Sequence, residues 1–132
     1  MIPKTAILRI ARPTDNLSKI TEMYIKGLGF VLLGEFQDHD GFDGAIIGHK
    51  KHSYHFEFTH HRGTTVGTAP TKDNLLVFYF VDNGILQSCF TNMTLAGFKE
   101  VSSYNPYWND VGKTLEDLDG YRVVLVNQAW QE

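Results

Sequence analysis

Residues 14–30 read TDNLSKITEMYIKGLGF, and this stretch decides the fold of the 132-residue chain. It opens with Thr-Asp-Asn, three residues that cap helix N-termini well. Leu17, Ile20, Tyr24 and Leu28 then recur at the spacing of one helix face, and the Gly-Leu-Gly sequence around Leu28 marks the helix end. The stretch therefore predicts an amphipathic helix that leads directly into a strand.

The segments on either side of this helix have the composition of strands. One precedes the helix and three follow it, separated by turns rich in Gly, Asp, His and Ser. The predicted strands are Thr5–Ala11, Phe30–Phe36, Ala45–Gly48 and Tyr54–Thr59. The first half of the chain is therefore predicted to form a β-α-β-β-β unit.

The second half of the chain repeats this order. Matching anchors lie 67 or 68 positions apart: an Asp-Asn pair before each helix, a Gly-Phe pair after it, and a Tyr that opens each last strand. The predicted elements are a helix at Ile85–Ala96 and strands at Asn74–Val81, Phe98–Ser102, Gly112–Asp117 and Tyr121–Asn127. The chain is thus predicted to be a tandem repeat of one module.

The repeat also predicts the domain organisation. We expect module 1 at about residues 4–61, a loop at 62–73, and module 2 at about 74–128. A half of roughly 65 residues leaves an apolar sheet face uncovered and is close to the lower size limit for a stable core. The two modules are therefore expected to pair into one domain over residues 1–132, and the sequence leaves open whether they pair within one chain or swap between two.

Composition excludes several classes of protein. The formal charge of −3 does not favour binding to nucleic acid or to an anionic membrane, and no apolar run is long enough to span a bilayer. A single cysteine, Cys89, excludes an internal disulfide framework, and the start MIPKTAILRIARPTD lacks the features of a signal peptide. We expect a small soluble cytoplasmic protein.

The tandem module resembles the vicinal oxygen chelate superfamily, which includes glyoxalase I, extradiol dioxygenases and the fosfomycin and bleomycin resistance proteins. The stretch at 14–30 and the stretch EDLDGYRVVLVN at 116–127 carry most of the resemblance. It implies that residues 1–132 form a single glyoxalase-like domain. This domain is expected to have an α+β glyoxalase-like fold, in which tandem βαβββ modules form a curved sheet cup around the binding site.

The resemblance also implies four metal-ligand positions, which fall on Thr5, Glu57, Leu76 and Val124. Glu57 is a competent ligand and Thr5 a poor one, whereas Leu76 and Val124 cannot coordinate a metal. A catalytic site generally needs three protein ligands. We therefore expect no family metal and no other cofactor, although a different site formed by His39, His55 and Glu57 remains open.

Strand alternation predicts which side chains line the cup. The inward-facing set is expected to include Arg9, His55, Glu57, Phe78 and Arg122. A polar loop adds three more candidates for ligand contact: Asn105, Tyr107 and Trp108. Two structural alternatives remain open. Arg9, Glu57 and Arg122 can form a buried ion-pair network, and the Trp108 side chain can be packed in the hydrophobic core.

These candidates suit a small, partly apolar molecule that carries an anionic or polar group. The sequence therefore predicts a glyoxalase/bleomycin-resistance-like binding protein, and we expect it to be a homodimer that lines the cup. The alternative is a lyase, isomerase or dioxygenase-type enzyme in which Glu57 is the general base or a metal ligand. In that case His55 or Arg122 would stabilise an oxyanion.

Overall fold

Each half of the chain forms its own four-stranded mixed sheet in the computed structural model, which describes residues 1–131. In chain order, the elements are β1 (Leu8–Pro13), α1 (Leu17–Leu28), β2 (Val31–His39), β3 (Phe42–Gly48), β4 (Tyr54–His61), β5 (Leu75–Tyr79), α2 (Asn83–Leu95), β6 (Lys99–Val101), α3 (Tyr107–Val111), β7 (Gly112–Glu116) and β8 (Arg122–Val126). The strand orders are β1-β4-β3-β2 and β5-β8-β7-β6, and the first and last strand of each module pair in parallel. This architecture confirms the predicted α+β glyoxalase-like fold.

The main helix begins and ends where the sequence predicts, but its N-terminus is capped differently. No side chain caps α1 directly. Instead, Thr14 Oγ1 accepts the N–H of Asn16, and the Asp15 carboxylate accepts N–H groups of the 62–73 loop. At the other end Gly29 adopts a left-handed conformation with φ 75°, which glycine reaches at little steric cost.

The core lies between the two sheets. Helix α1 packs against β3 and β4, α2 packs against β8, and the two helices pack against each other. Side chains from both sheets and both helices form one apolar cluster that includes Tyr24, Phe58, Met93 and Leu125. One face of each sheet is therefore directed at the helices, and the other face, its outward face, is directed away from them.

A buried polar cluster joins the modules where β1 ends. Asp117 accepts hydrogen bonds from Arg12 at 2.9 Å and from the Tyr24 hydroxyl at 2.7 Å. Asp119 accepts one from the Thr14 hydroxyl at 2.6 Å. Since these carboxylates lie in the turn before β8, the cluster fixes the second module against the start of α1.

Several element boundaries differ from the sequence prediction; for example, β2 ends at His39 rather than Phe36, and β3 begins at Phe42 rather than Ala45. Strand β1 begins at Leu8 rather than Thr5 and continues to Pro13, because its partner in the parallel pair is the whole of Tyr54–Thr59. Proline is tolerated there because β1 lies at the edge of its sheet. The predicted loop around 105–108 contains the short helix α3.

No helix within residues 1–131 is long and apolar enough to cross a membrane.

Candidate functional site

Three predicted site residues come together on the outward face of module 1. The parallel pairing of β1 with β4 places Arg9 opposite His55, and Glu57 follows two residues later on the same face. Arg9 Nε donates to His55 Nε2 at 2.9 Å, and Arg9 Nη1 donates to Glu57 Oε2 at 3.4 Å. Because an arginine N–H can only donate, Nε2 of His55 is the acceptor in this contact.

The Arg9 guanidinium is held in place but remains accessible. Its side chain is 46% exposed, while that of Glu57 is 15% exposed. Two of its five N–H groups donate to His55 and Glu57, and the others have no hydrogen-bond partner within residues 1–131. His55 and Glu57 hold only part of the Arg9 guanidinium. Its remaining N–H groups are therefore suited to binding a carboxylate or a similar acceptor.

One glycine of β3 leaves room for the His55 side chain beside Arg9. Gly48 lies opposite His55 in the antiparallel pair, and a Cβ at Gly48 would approach His55 Cβ to 3.0 Å. Ile46 lies opposite Glu57 on the same face. The glycine therefore lets the His55 side chain lie close to the sheet beside Arg9.

The residues present do not fit the metal of the superfamily. Glu57 is a carboxylate, but its neighbour is the Arg9 guanidinium, whose positive charge opposes a bound cation. Thr5 precedes β1, and Val124 is fully buried and apolar. The β5 residues that share the face of Val124 are also unable to replace the missing ligands: Leu75, Val77 and Tyr79. No group of three or more His, Cys, Asp or Glu side chains within residues 1–131 is placed to hold a metal ion.

The alternative site with His39 is not assembled in the described part of the chain. His39 ends β2 and pairs with Phe42 at one end of the β2–β3 hairpin. His55 lies opposite Gly48, at the other end of β3. The length of β3 therefore separates His39 from His55.

Arg122 lies on β8, on the face of the module 2 sheet that is directed away from the helices. Its Nε donates to Glu116 at 3.0 Å, and its Nη1 donates to the carbonyl of Ser102 at 3.2 Å. Arg122 is 5% exposed, and Val124 beside it on this face is fully buried. The charged residues thus form two separate pairs, one in each module, rather than one network.

Phe78 lies on the opposite face of its sheet from the one predicted. It pairs with Leu125 on the helix side, and its ring packs against Phe30 and Tyr54 at centroid distances of 6.4 and 6.5 Å. A shift of one residue moves every side chain of a strand to the other face. The prediction counted from Leu76, whereas Val77 is the residue that shares a face with Val124.

The three loop candidates form part of the short helix α3 and its start. Asn105 Oδ1 accepts the N–H of Tyr107, which begins the helix. Tyr107 is 51% exposed, and its ring meets the half-buried Trp108 edge to face at 5.0 Å. The two aromatic residues are therefore close together, with Tyr107 facing solvent. The structure does not bring them into contact with Arg9, His55 or Glu57 in the same chain.

Two four-stranded mixed sheets with a pair of packed helices form the glyoxalase-like fold. Solved structures of low sequence identity share this fold. A fosfomycin resistance protein, FosX from Mesorhizobium loti, matches with a TM-score of 0.72 at 8% identity, covering 98% of this chain and 94% of that one. Glyoxalase I from Leishmania major matches with a TM-score of 0.70 at 15% identity, covering 92% and 85%.

Two domain families match the two halves of the chain. The YycE-like N-terminal domain matches residues 8–59 and the YycE-like C-terminal domain matches residues 73–127. The uncharacterized YycE protein of Bacillus subtilis (strain 168) is 41% identical over 124 residues, which are 94% of this chain and 89% of that protein. The chain belongs to the YycE-like family.

A crystal structure extends this relationship to the fold. A YycE protein of unknown function from Bacillus subtilis, described there as a candidate glyoxalase/fosfomycin resistance protein, matches with a TM-score of 0.89 at 40% identity. The match covers 98% of this chain and 94% of that one. The two proteins therefore share their architecture along almost the full length of each chain.

Proposed function

We propose that the chain is a binding protein for a small, partly apolar molecule with an anionic or polar group, and that binding needs no metal. One observation carries the proposal: the Arg9 guanidinium is fixed by His55 and Glu57 but keeps exposed donors on an outward sheet face. The surroundings of Glu57 support the absence of a metal, since Arg9 contacts its carboxylate and the apolar residues Ala11 and Ile46 lie opposite it on the neighbouring strands.

The exposure of Arg9 argues for a ligand-facing role rather than a purely structural one. An ion pair that only stabilises the fold gains little at a site where one partner is 46% exposed, because water screens the interaction. By contrast, Arg12 on the other face of β1 is largely buried, and its side chain is 12% exposed against Asp117. The strand thus carries a structural arginine and an accessible one.

We further propose that a second copy of the chain completes the cup. Within one chain the outward face of each sheet lies outside the apolar cluster that the two modules share. Strands β1 and β5 are both unpaired on one side, and an apolar groove of about 570 Å³ lies between them. Its lining includes the exposed residues Leu8 and Ile10. Such an edge is suited to pairing with the equivalent edge of another copy.

The binding proposal is tested with protein stripped of metal by a chelator. We expect small carboxylates with an apolar body to raise the melting temperature of the wild type, and Arg9→Met to abolish that rise. Lys4→Met, which removes an exposed cation outside the strand, is the matched control and is expected to respond like the wild type. A response that is unchanged in Arg9→Met would contradict the proposal.

A second candidate function is a lyase or isomerase activity with Glu57 as general base. The observation that favours it is that Arg9 contacts both Glu57 and His55, and an arginine can stabilise a developing oxyanion. Once a ligand is known, its turnover by wild type and by Glu57→Gln can be compared. Turnover that Glu57→Gln reduces at least 100-fold supports catalysis, and equal turnover excludes this role.

We also propose that the protein is cytoplasmic, and its composition supports this location. A chain with one cysteine does not depend on an oxidising compartment for its stability.

A further inference from the structure

We infer that the ligand of the module 1 face is elongated, with an aromatic group that binds at a second subsite formed by Phe36, Phe42 and His61. We call these three residues the aromatic subsite. The inference rests on the proposed function, because it assumes that Arg9 binds the polar end of the ligand. It adds two properties of the ligand: the aromatic group at its far end and its overall length.

Strand register places the aromatic subsite on the same face as Arg9. Residues His55, Glu57, Thr59 and His61 alternate along β4 and therefore share one face. His61 lies opposite Phe42 on β3, so the polar group and the aromatic group occupy the two ends of this face. His61 lies four positions further along the strand than Glu57, which corresponds to about 13 Å.

The aromatic subsite presents flat apolar surface to solvent. The rings of Phe42 and His61 are stacked, with centroids 4.3 Å apart and an interplanar angle of 11°. Phe42 is 39% exposed although it is a large apolar residue. The ring of Phe36 lies over Gly44, since a Cβ at Gly44 would approach its nearest atom to 2.2 Å. Aromatic rings exposed side by side favour stacking with another planar group.

The surface between the two ends contains small or uncharged side chains. Thr59 lies between Glu57 and His61 on β4, and Gly44 lies opposite Thr59 on β3. Ala11 lies beside Glu57 on β1. A ligand with an aliphatic linker can therefore lie along the face without meeting a further charge on these strands. This arrangement selects a molecule with a carboxylate or similar head, a linker and an aromatic ring at the far end.

The inference is tested by titrating three carboxylates into the full-length protein by calorimetry in the presence of a chelator. The probes are phenylacetate, 8-phenyloctanoate, whose ring can reach the aromatic subsite, and decanoate, which has a similar length but no ring. We expect 8-phenyloctanoate to bind about tenfold more tightly than either of the others, which is the upper range for one aromatic contact.

Two variants separate this inference from the proposed function. Phe42→Leu keeps an apolar side chain, and we expect it to remove the tenfold preference for 8-phenyloctanoate while binding of decanoate stays the same. Val66→Leu in the exposed 62–73 loop is the matched control and is expected to bind like the wild type. Circular dichroism and melting temperature establish that both variants are folded.

The possible outcomes are distinct. Arg9-dependent binding of all three probes with no preference for the phenyl group would overturn the aromatic subsite and leave the proposed function standing. A preference that persists in Phe42→Leu would also overturn it. If none of the carboxylates binds the wild type, both the proposed function and the aromatic subsite are refuted.

Discussion

Tyr24 illustrates how a single residue links the two modules. Its ring is fully buried between Phe58 of module 1 and Phe98 of module 2, at centroid distances of 5.0 and 5.3 Å. Its hydroxyl donates to Asp117, whose side chain is also fully buried. Burial first, and then the charge of Asp117, raise the pKa of Tyr24 far above its ordinary value near 10. The residue is therefore a permanent hydrogen-bond donor in the folded protein.

This raised pKa predicts a loss of stability at alkaline pH. Above pH 10 the unfolded chain ionises Tyr24 while the folded protein keeps it protonated, so the free energy of unfolding falls as the pH rises. We expect Tyr24→Phe to be less stable at pH 8 but to show a shallower decline between pH 10 and 11. The free energy of unfolding should fall less steeply with pH in Tyr24→Phe than in the wild type. The difference between the two slopes should approach about 1.4 kcal/mol per pH unit, the value for one proton. Urea unfolding at several pH values measures this slope.

Tyr104→Phe is the matched control for this experiment. Tyr104 is 71% exposed and has no comparable burial. The decline in stability of Tyr104→Phe above pH 10 should therefore match that of the wild type. An identical slope in Tyr24→Phe and the wild type would show that Tyr24 does not resist ionisation in the folded state.

At the scale of elements, Gly112 allows β7 to lie close to the backbone of β8. A Cβ at Gly112 would lie 2.1 Å from the carbonyl oxygen of Leu125, which is backbone and cannot move without disturbing the pair. The two strands form the buried centre of the second sheet and include the fully buried Val123 and Leu125. Glycine at this position is therefore required for the pairing of β7 with β8.

Gly112→Ala should consequently destabilise the protein by about 3 kcal/mol, the upper range for forcing extra volume into a packed region. Gly34→Ala is the control, because a Cβ at Gly34 meets only the end of the Ile46 side chain at 3.8 Å. Its unfolding midpoint in urea should stay close to that of the wild type. Equal midpoints for the two variants would contradict this account of the β7–β8 contact.

The limits of the sequence prediction are clearest in the strands. Arg9, His55 and Glu57 could be placed on one face because polar residues alternate with apolar ones in β4, and the structure brings the three together. In β5 the run LLVFY has no polar residue that marks a face, so the face of Phe78 was predicted wrongly. Helix α3, with five residues, is too short to show a periodic pattern. Contacts such as Arg12 with Asp117, 105 positions apart, leave no local signal.

At the scale of the whole molecule, the orientation of the modules determines where a complete site can form. The Arg9 group lies in the sheet of module 1 and the Arg122–Glu116 pair in the sheet of module 2. Under the proposed function, a second chain completes the cup. The repeat predicted two halves of similar structure, but the sequence left open whether the halves of one chain pair with each other or with those of a second copy.

This account predicts a dimer of about twice the 15.0 kDa mass of one chain, observed by light scattering coupled to size exclusion. We expect Ile10→Asp to produce a folded monomer, because a charge in the apolar groove beside β5 opposes burial against a second copy. Val66→Asp, at a similarly exposed loop position, should remain dimeric. A wild type that is monomeric at micromolar concentration would refute the two-copy cup.

The central claim, that Arg9 and its neighbours bind a ligand without metal, is tested most directly by the response to divalent cations. Metal-free protein is titrated separately with zinc, nickel, manganese and magnesium, and its melting temperature is measured for the wild type and Glu57→Gln. The account predicts no rise in melting temperature for either protein with any of these ions. A rise of several degrees in the wild type that Glu57→Gln removes would show that Glu57 is a metal ligand and would contradict the claim.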